Sequence, residues 1–137
     1  MISKKIFLDT NIVLDIIDST RSNHEKALQL GSYLLLNDYE IFVSEDMLTT
    51  LFYISSDKQK TLLFIKEVIF VDWKIVPFGT EVIKKAIDLS LEKKLDLEDV
   101  LQCLCAKENE CRVFITHDKR FYDCGVEIMT SEEFLTN

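Results

Sequence analysis

The sequence predicts an α/β fold of three layers, α/β/α, around a central parallel sheet of four to five strands. Three observations lead there. Short apolar runs of strand length alternate with longer stretches of helical periodicity along the whole chain, which is the pattern of βαβ units. Gly and Pro number 3 and 1 among 137 residues, too few for the tight turns of an all-β protein. No repeat, low-complexity segment or linker divides the chain, so residues 1–137 read as a single domain.

The elements follow in order. Ile6-Phe7-Leu8 is a buried strand that ends on Asp9. Ile12, Val13, Ile16 and Ile17 then share one helix face. A polar turn, Ser19 to Asn23, leads to a second helix with a stripe of Ala27, Leu28, Gly31, Leu34 and Leu35, ending near Asn37. Glu40 to Val43 is the second strand. Ser44 caps a third helix that buries Met47, Leu48, Leu51 and Phe52. Ser56 to Gln59 has the form of a capping box, and the helix after it is apolar nearly all round from Leu62 to Ile69. Such a helix lies deep in the core or offers a patch to a second subunit.

Lys74-Ile75-Val76 is a third strand, stopped by Pro77 and Gly79. Thr80 opens a helix with Val82, Ile83, Ala86, Ile87 and Leu91 on one face. The next helix opens at Leu95 to Asp99; Leu97, Leu101, Leu104 and Cys105 are expected to bury, and Glu98, Gln102 and Asn109 to face water. Arg112 to Thr116 is a strand that runs into His117 and Asp118. A last strand, Val126 to Met129, meets a capping-box start at Thr130 to Glu133.

Composition narrows the function. Hydrophobic residues are 47% and charged residues 29%, as in an ordinary globular domain. No apolar run reaches the ~18 residues of a membrane span, and the N-terminus lacks a signal-type apolar region. A cytoplasmic protein without membrane contact is expected. The net charge of −8 argues against coating nucleic acid through a broad basic face, yet leaves room for an enzyme that meets phosphates through a bound cation. Cys103, Cys105, Cys111 and Cys124 show no CxxC or zinc spacing, and are expected to be reduced packing thiols.

The carboxylates carry the chemistry. Asp9 and Asp118 each follow a strand at its carboxyl end, where open α/β sheets bind ligands. Asp96 and Asp99 lie three apart at a helix start, nearly on one face. If Asp9, Asp99 and Asp118 converge to ~5 Å, they repel by roughly 3 kcal/mol per pair at an effective dielectric of ~20. Such a cluster must take up protons, bind a cation or stay further apart, and an all-oxygen donor set favours Mg²⁺ or Mn²⁺. A metal in a strand-end crevice suits phosphodiester hydrolysis. The plainer reading makes Asp9 and Asp96 helix caps and Asp118 a turn residue.

Three segments, Ile6 to Asn11, Asp96 to Gln102 and Val113 to Phe121, resemble the characteristic segments of PIN domains, and Ile128 to Phe134 is similar to their ending. The resemblance spans essentially the whole chain. It implies a PIN-like fold and a metal-dependent endoribonuclease of the VapC-like kind, the toxin of a toxin–antitoxin pair. It further implies an RNA substrate, an antitoxin protein as partner and a homodimer. It places Asp9, Asp99 and Asp118 as catalytic metal ligands for Mg²⁺ (or Mn²⁺), with Asn11 and Thr116 in support. One departure stands out: Thr50 occupies the position where many such domains carry a further Glu, and Asp96 or Glu98 can compensate. That neutral residue motivates an alternative, a catalytically weak RNA- or protein-binding module. Arg21, Lys119 and Arg120 are candidates to meet RNA phosphates. His117 reads as a turn histidine in solvent, with a phosphate contact or an acid/base role as the alternative. A P-loop nucleotide site is excluded by the absence of its glycine-lysine motif.

Overall fold

The computed structural model describes residues 3–118 and 123–136. Five strands form one sheet: β1 (Lys5–Leu8), β2 (Glu40–Ser44), β3 (Lys74–Val76), β4 (Val113–Ile115) and β5 (Glu127–Met129). Their order is β3-β2-β1-β4-β5 and every neighbouring pair is parallel. The helices are α1 (Thr10–Ile17), α2 (His24–Leu36), α3 (Glu45–Ile54), α4 (Lys58–Phe64), a π-helical turn Ile65–Ile69, α5 (Phe70–Asp72), α6 (Thr80–Lys93), α7 (Leu97–Glu108) and α8 (Ser131–Thr136). α1 packs on α2, α3 and α4, and α2 on α8; α6 and α7 pair with each other and make the second helical layer.

The sheet is apolar on both faces, as a parallel sheet between two helical layers must be. Ile6, Phe7 and Leu8 are fully buried, and so are Val113, Phe114 and Ile115 beside them. The register places Phe7 opposite Phe114, with the two rings stacked at 5.3 Å between centroids. Sequence order runs outward from β1 to β3, then returns to the other side of β1 for β4 and β5. The reversal leaves a crevice at the carboxyl ends of β1 and β4, the ligand position of open α/β sheets.

Local signals set most element ends. Ser44 caps α3 by accepting from the N–H of Met47 at 3.1 Å. Thr130 and Glu133 cap α8 reciprocally: the Thr130 N–H donates to Glu133 Oε1 at 2.9 Å and the Glu133 N–H to Thr130 Oγ1 at 3.1 Å. α4 is capped by Asp57 instead of Ser56, through the N–H of Lys60 at 3.0 Å. The buried stripe of α2 is Ala27, Leu30 and Leu34, rotated from the predicted one, so Leu28 and Leu35 are exposed.

Two expectations for α7 fail, for different reasons. Gln102 is buried, not solvated, because α7 is covered by the sheet, by α6 and by the chain around Cys124. A helix enclosed on several sides has no single wet stripe for periodicity to reveal. Leu97, expected to bury, is exposed at the first position of that helix. The apolar stretch after Lys58 takes the patch alternative in part. Ile69 is buried, whereas Leu62, Leu63, Phe70 and Val71 lie open.

The cysteines also divide. Cys105 and Cys111 are buried free thiols, pushed up to about 12 by burial. Cys103 and Cys124 are instead joined in a disulfide, which corrects the reading of four reduced thiols. The partners lie 21 residues apart, and the segment before β5 folds back over α7 to meet Cys103. Closing a loop of that length removes about 3 kcal/mol of unfolded-state entropy. Reducing the bond with dithiothreitol, or the substitution Cys103→Ser, is therefore expected to lower Tm by roughly 10 °C, read by circular dichroism. An unchanged Tm in both would show that the bond carries no stability.

Candidate functional site

Asp9 is the residue at which β1 ends and α1 begins. One carboxylate oxygen accepts from the N–H of Thr10 at 2.8 Å; the other accepts from the hydroxyl of Thr116 at 2.8 Å. Thr116 directly follows β4 and is 1% exposed. Its Oγ1 in turn accepts from the N–H of Asp118 at 3.1 Å. The Asp9 N–H donates to the carbonyl of Ile115 at 3.0 Å, so backbone and side chain both bind the first strand's end to the fourth's. A single buried hydroxyl thus fixes two acidic loops relative to each other.

The third acid arrives on α7. A tight link leads into it: Lys94 ends α6 in the left-handed region at φ 54°, and Asp96 then caps α7 by accepting from the Asp99 N–H at 3.1 Å. Asp99 lies in the first helical turn, half-buried. Its carboxyl is pushed up to about 6, by burial first and then by Asp96, Asp9, Asp118 and Glu98. Burial also raises the Asp9 carboxyl, and the charge of Asp118 adds to it, against the lowering effect of the Thr116 and Thr10 hydrogen bonds. Glu98 is raised by burial and by Asp9, Asp46 and Asp96. The predicted Asp9, Asp99 and Asp118 therefore share one sheet edge and one electrostatic field, with Asp96 and Glu98 among them.

Among the described residues, no group of three or more His, Cys, Asp and Glu side chains is gathered tightly enough to enclose an ion. The donor set has the chemistry of a hard-cation site all the same: carboxylates only, with Asp9 and Asp99 raised by burial first and by neighbouring acids second. A divalent cation would relieve that crowding. Beside it, a polar cleft of about 560 Å³ is lined by Thr116, Asp118, Asp123, Thr130 and Glu133.

The supporting residues are placed less uniformly. Thr50 is half-buried on α3, one turn after Asp46 and on the same face. Asp46, which sequence reasoning did not single out, acts electrostatically on Glu98. Asn11 is exposed, its Oδ1 3.4 Å from Arg21 Nη2. Lys119 and Arg120 lie outside the described residues.

Asp15 is the larger omission from the sequence reading. It is buried in α1, with Oδ1 accepting from Arg21 Nε at 2.6 Å and Oδ2 3.3 Å from His117 Nε2. His117 is exposed, as expected, but its Nε2 faces the Asp15 carboxylate. A signal existed: a lone carboxylate within the apolar run Ile12 to Ile17 needs a partner.

A family model described as PIN domain matches residues 6–127. The chain is 41% identical over 138 residues to a protein named Ribonuclease VapC1 of Aquifex aeolicus (strain VF5), covering 98% of this chain and 95% of that one. Among solved structures it is similar to VapC20 of Mycobacterium tuberculosis, described as a toxin that cleaves the sarcin–ricin loop. There the TM-score is 0.71 and the identity 11%, over 88% of this chain and 95% of the other. It is also similar to a toxin–antitoxin complex from Klebsiella pneumoniae, with TM-score 0.66 and 19% identity over 92% and 97% of the two chains. These two likenesses show the fold.

The crowding of Asp99 has a measurable consequence for stability. A carboxyl raised in the folded state contributes stability that is complete below the ordinary carboxylate range and lost as pH rises through about 6. Asp99→Asn removes that loss. In chelator the variant is expected to melt higher than the parent above pH about 7, with the gain vanishing below pH about 4. A variant that melts lower at neutral pH would contradict the crowding.

Proposed function

The chain belongs to the PIN-domain family, and on that premise we propose that it is a metal-dependent endoribonuclease with Asp9, Asp99 and Asp118 as its catalytic, metal-holding residues. The coarser statement, a nuclease of the hydrolase class, follows from the family and from the relative's name. The observation that carries the finer reading is the crowding of acids from β1, β4 and α7, with Asp99 held at about 6.

Mg²⁺ or Mn²⁺, when bound, supplies an activated water and a counter-charge for the leaving oxygen. The chain's own residues do the rest. Thr116 holds Asp9 by its hydroxyl and orients the Asp118 loop, so two ligands are set before the ion arrives. Asp96 fixes the first turn of α7 and with it Asp99. Thr50 is neutral where the PIN resemblance implies a Glu; Asp46, Asp96 and Glu98 maintain the negative field there. That field keeps a cation near the edge even without a fourth carboxylate ligand.

RNA is the substrate in this reading, and the partner is a protein antitoxin, as in the Klebsiella complex. Leu35, Leu36, Leu62, Phe70 and Val71 are exposed apolar side chains and provide surface for such a partner or for a homodimer. Among the described residues no helix is long and apolar enough to cross a membrane.

Cleavage of single-stranded RNA with Mg²⁺ tests the reading. Asp9→Asn and Asp99→Asn are each expected to reduce cleavage at least ~100-fold while the fold is kept, since each removes a ligand charge. Activity unchanged in either variant would remove that residue from the site; a parent that binds RNA and never cleaves it would favour the binding-module alternative. The pH dependence follows from the same acids. Protons compete with the cation for Asp99, so activity is expected to fall as pH drops through about 6. Raising Mg²⁺ should move that midpoint downward; a midpoint insensitive to Mg²⁺ would contradict the competition. Light scattering that finds only monomer would remove the homodimer.

A further inference from the structure

We propose that Arg21 and His117, held by the buried carboxylate of Asp15, form a seat for an RNA backbone phosphate next to the bond that is cut. The proposal rests on the nuclease reading above and adds to it a substrate-binding site outside the metal ligands.

The physical problem is charge. Acids outnumber bases 24 to 16, and the sheet edge concentrates Asp9, Asp96, Glu98, Asp99 and Asp118. An RNA strand that crosses this edge is repelled wherever no cation faces it. Asp15 shows where one does. A carboxylate buried in an apolar helix face is costly unless it is paired. Here it is paired twice, with Arg21 Nε at 2.6 Å and with His117 Nε2 at 3.3 Å, and its side chain is 4% exposed. The carboxylate stands behind; the two donors stand in front, each about one-third exposed.

That arrangement leaves the guanidinium available. Nε is committed to Asp15, and among the described residues Nη2 makes only a long contact of 3.4 Å with Asn11 Oδ1. The terminal N–H groups form a planar fork of the kind that binds two phosphate oxygens together. They border a cleft of about 400 Å³ lined by Asn11, Asp15, Arg21, Ser22, Asn23 and His117. The cleft adjoins the acidic edge by sequence: Asn11 is two residues from Asp9, and His117 precedes Asp118. Lys26 lines the neighbouring cleft, but there it is paired with Glu132. A phosphate is therefore drawn to the Arg21 side. Arg21 and His117 are binding residues in this account, and Asp15 is a positioning residue that acts through them.

Anisotropy of a 5′-fluorescein single-stranded RNA in chelator, across a salt series, reads binding without turnover; KM and kcat with Mg²⁺ complete the test. Arg21→Ala is expected to weaken binding about tenfold and to reduce the slope of log affinity against log salt by about 0.7, one single-strand phosphate contact. KM should rise about tenfold with kcat within about threefold, because the contact is made equally in ground and transition states. Arg21→Lys should keep the salt slope and lose part of the affinity, since it retains charge without the fork. Should Arg21→Ala fail to fold with Asp15 unpaired, the double variant Asp15→Asn, Arg21→Gln removes both charges and is held to the same expectation. A parent that cleaves RNA while these variants keep its KM and salt slope overturns the phosphate seat alone. A parent that neither binds nor cleaves RNA overturns the nuclease reading and the seat together. Variants normal toward RNA but impaired only toward a protein antitoxin also overturn it.

Discussion

The pairing of β1 with β4 is the constraint on which the rest depends. It joins segments more than a hundred residues apart, through fully buried side chains and the stacked Phe7 and Phe114 rings. Because the strand order reverses there, the carboxyl ends of both strands open into one crevice. The Thr116 hydroxyl then converts a coincidence of strand ends into a defined relation between Asp9 and Asp118. Without that register, the acids would be ordinary cap and turn residues. With it, the charge of Asp118 adds to the burial that raises the Asp9 carboxyl.

The same edge shows two ways of handling excess negative charge. Around Asp99, among the described residues, burial and then neighbouring acids act on the carboxyl, which moves to about 6. Around Asp15 it is compensated by the Arg21 guanidinium, with His117 Nε2 3.3 Å from the other carboxylate oxygen. The first arrangement stores repulsion that a hard cation relieves. The second fixes two donors at the surface. In the proposed reading, an edge built of both receives a cation and a polyanion side by side, which neither a uniformly acidic nor a uniformly basic surface does.

Much of this was legible in the sequence, for identifiable reasons. Strand length and alternation of element type predicted the parallel sheet, because a sheet buried on both faces leaves short continuous apolar runs. Asp9 and Asp118 were visible as acids at strand ends, and Asp99 as an acid in a first helical turn. Gln102 was misread because periodicity assumes one wet face and α7 is enclosed along its middle; Leu97 was misread because it is the first residue of that helix, outside the enclosed part. The Cys103–Cys124 bond was invisible, since nothing local reports that the segment before β5 folds over α7. Asp15 was overlooked because its partners lie six and 102 residues away, distances that no helix pattern encodes.

The central claim is that the acids of β1, β4 and α7 share one hard cation. A crystal grown with Mn²⁺ and measured for anomalous scattering tests it most directly. The account predicts a peak bounded by the carboxylates of Asp9, Asp99 and Asp118, with oxygen ligands at about 2.0–2.2 Å. Clear density for those three side chains with no peak among them, or a peak held elsewhere on the sheet, would contradict it.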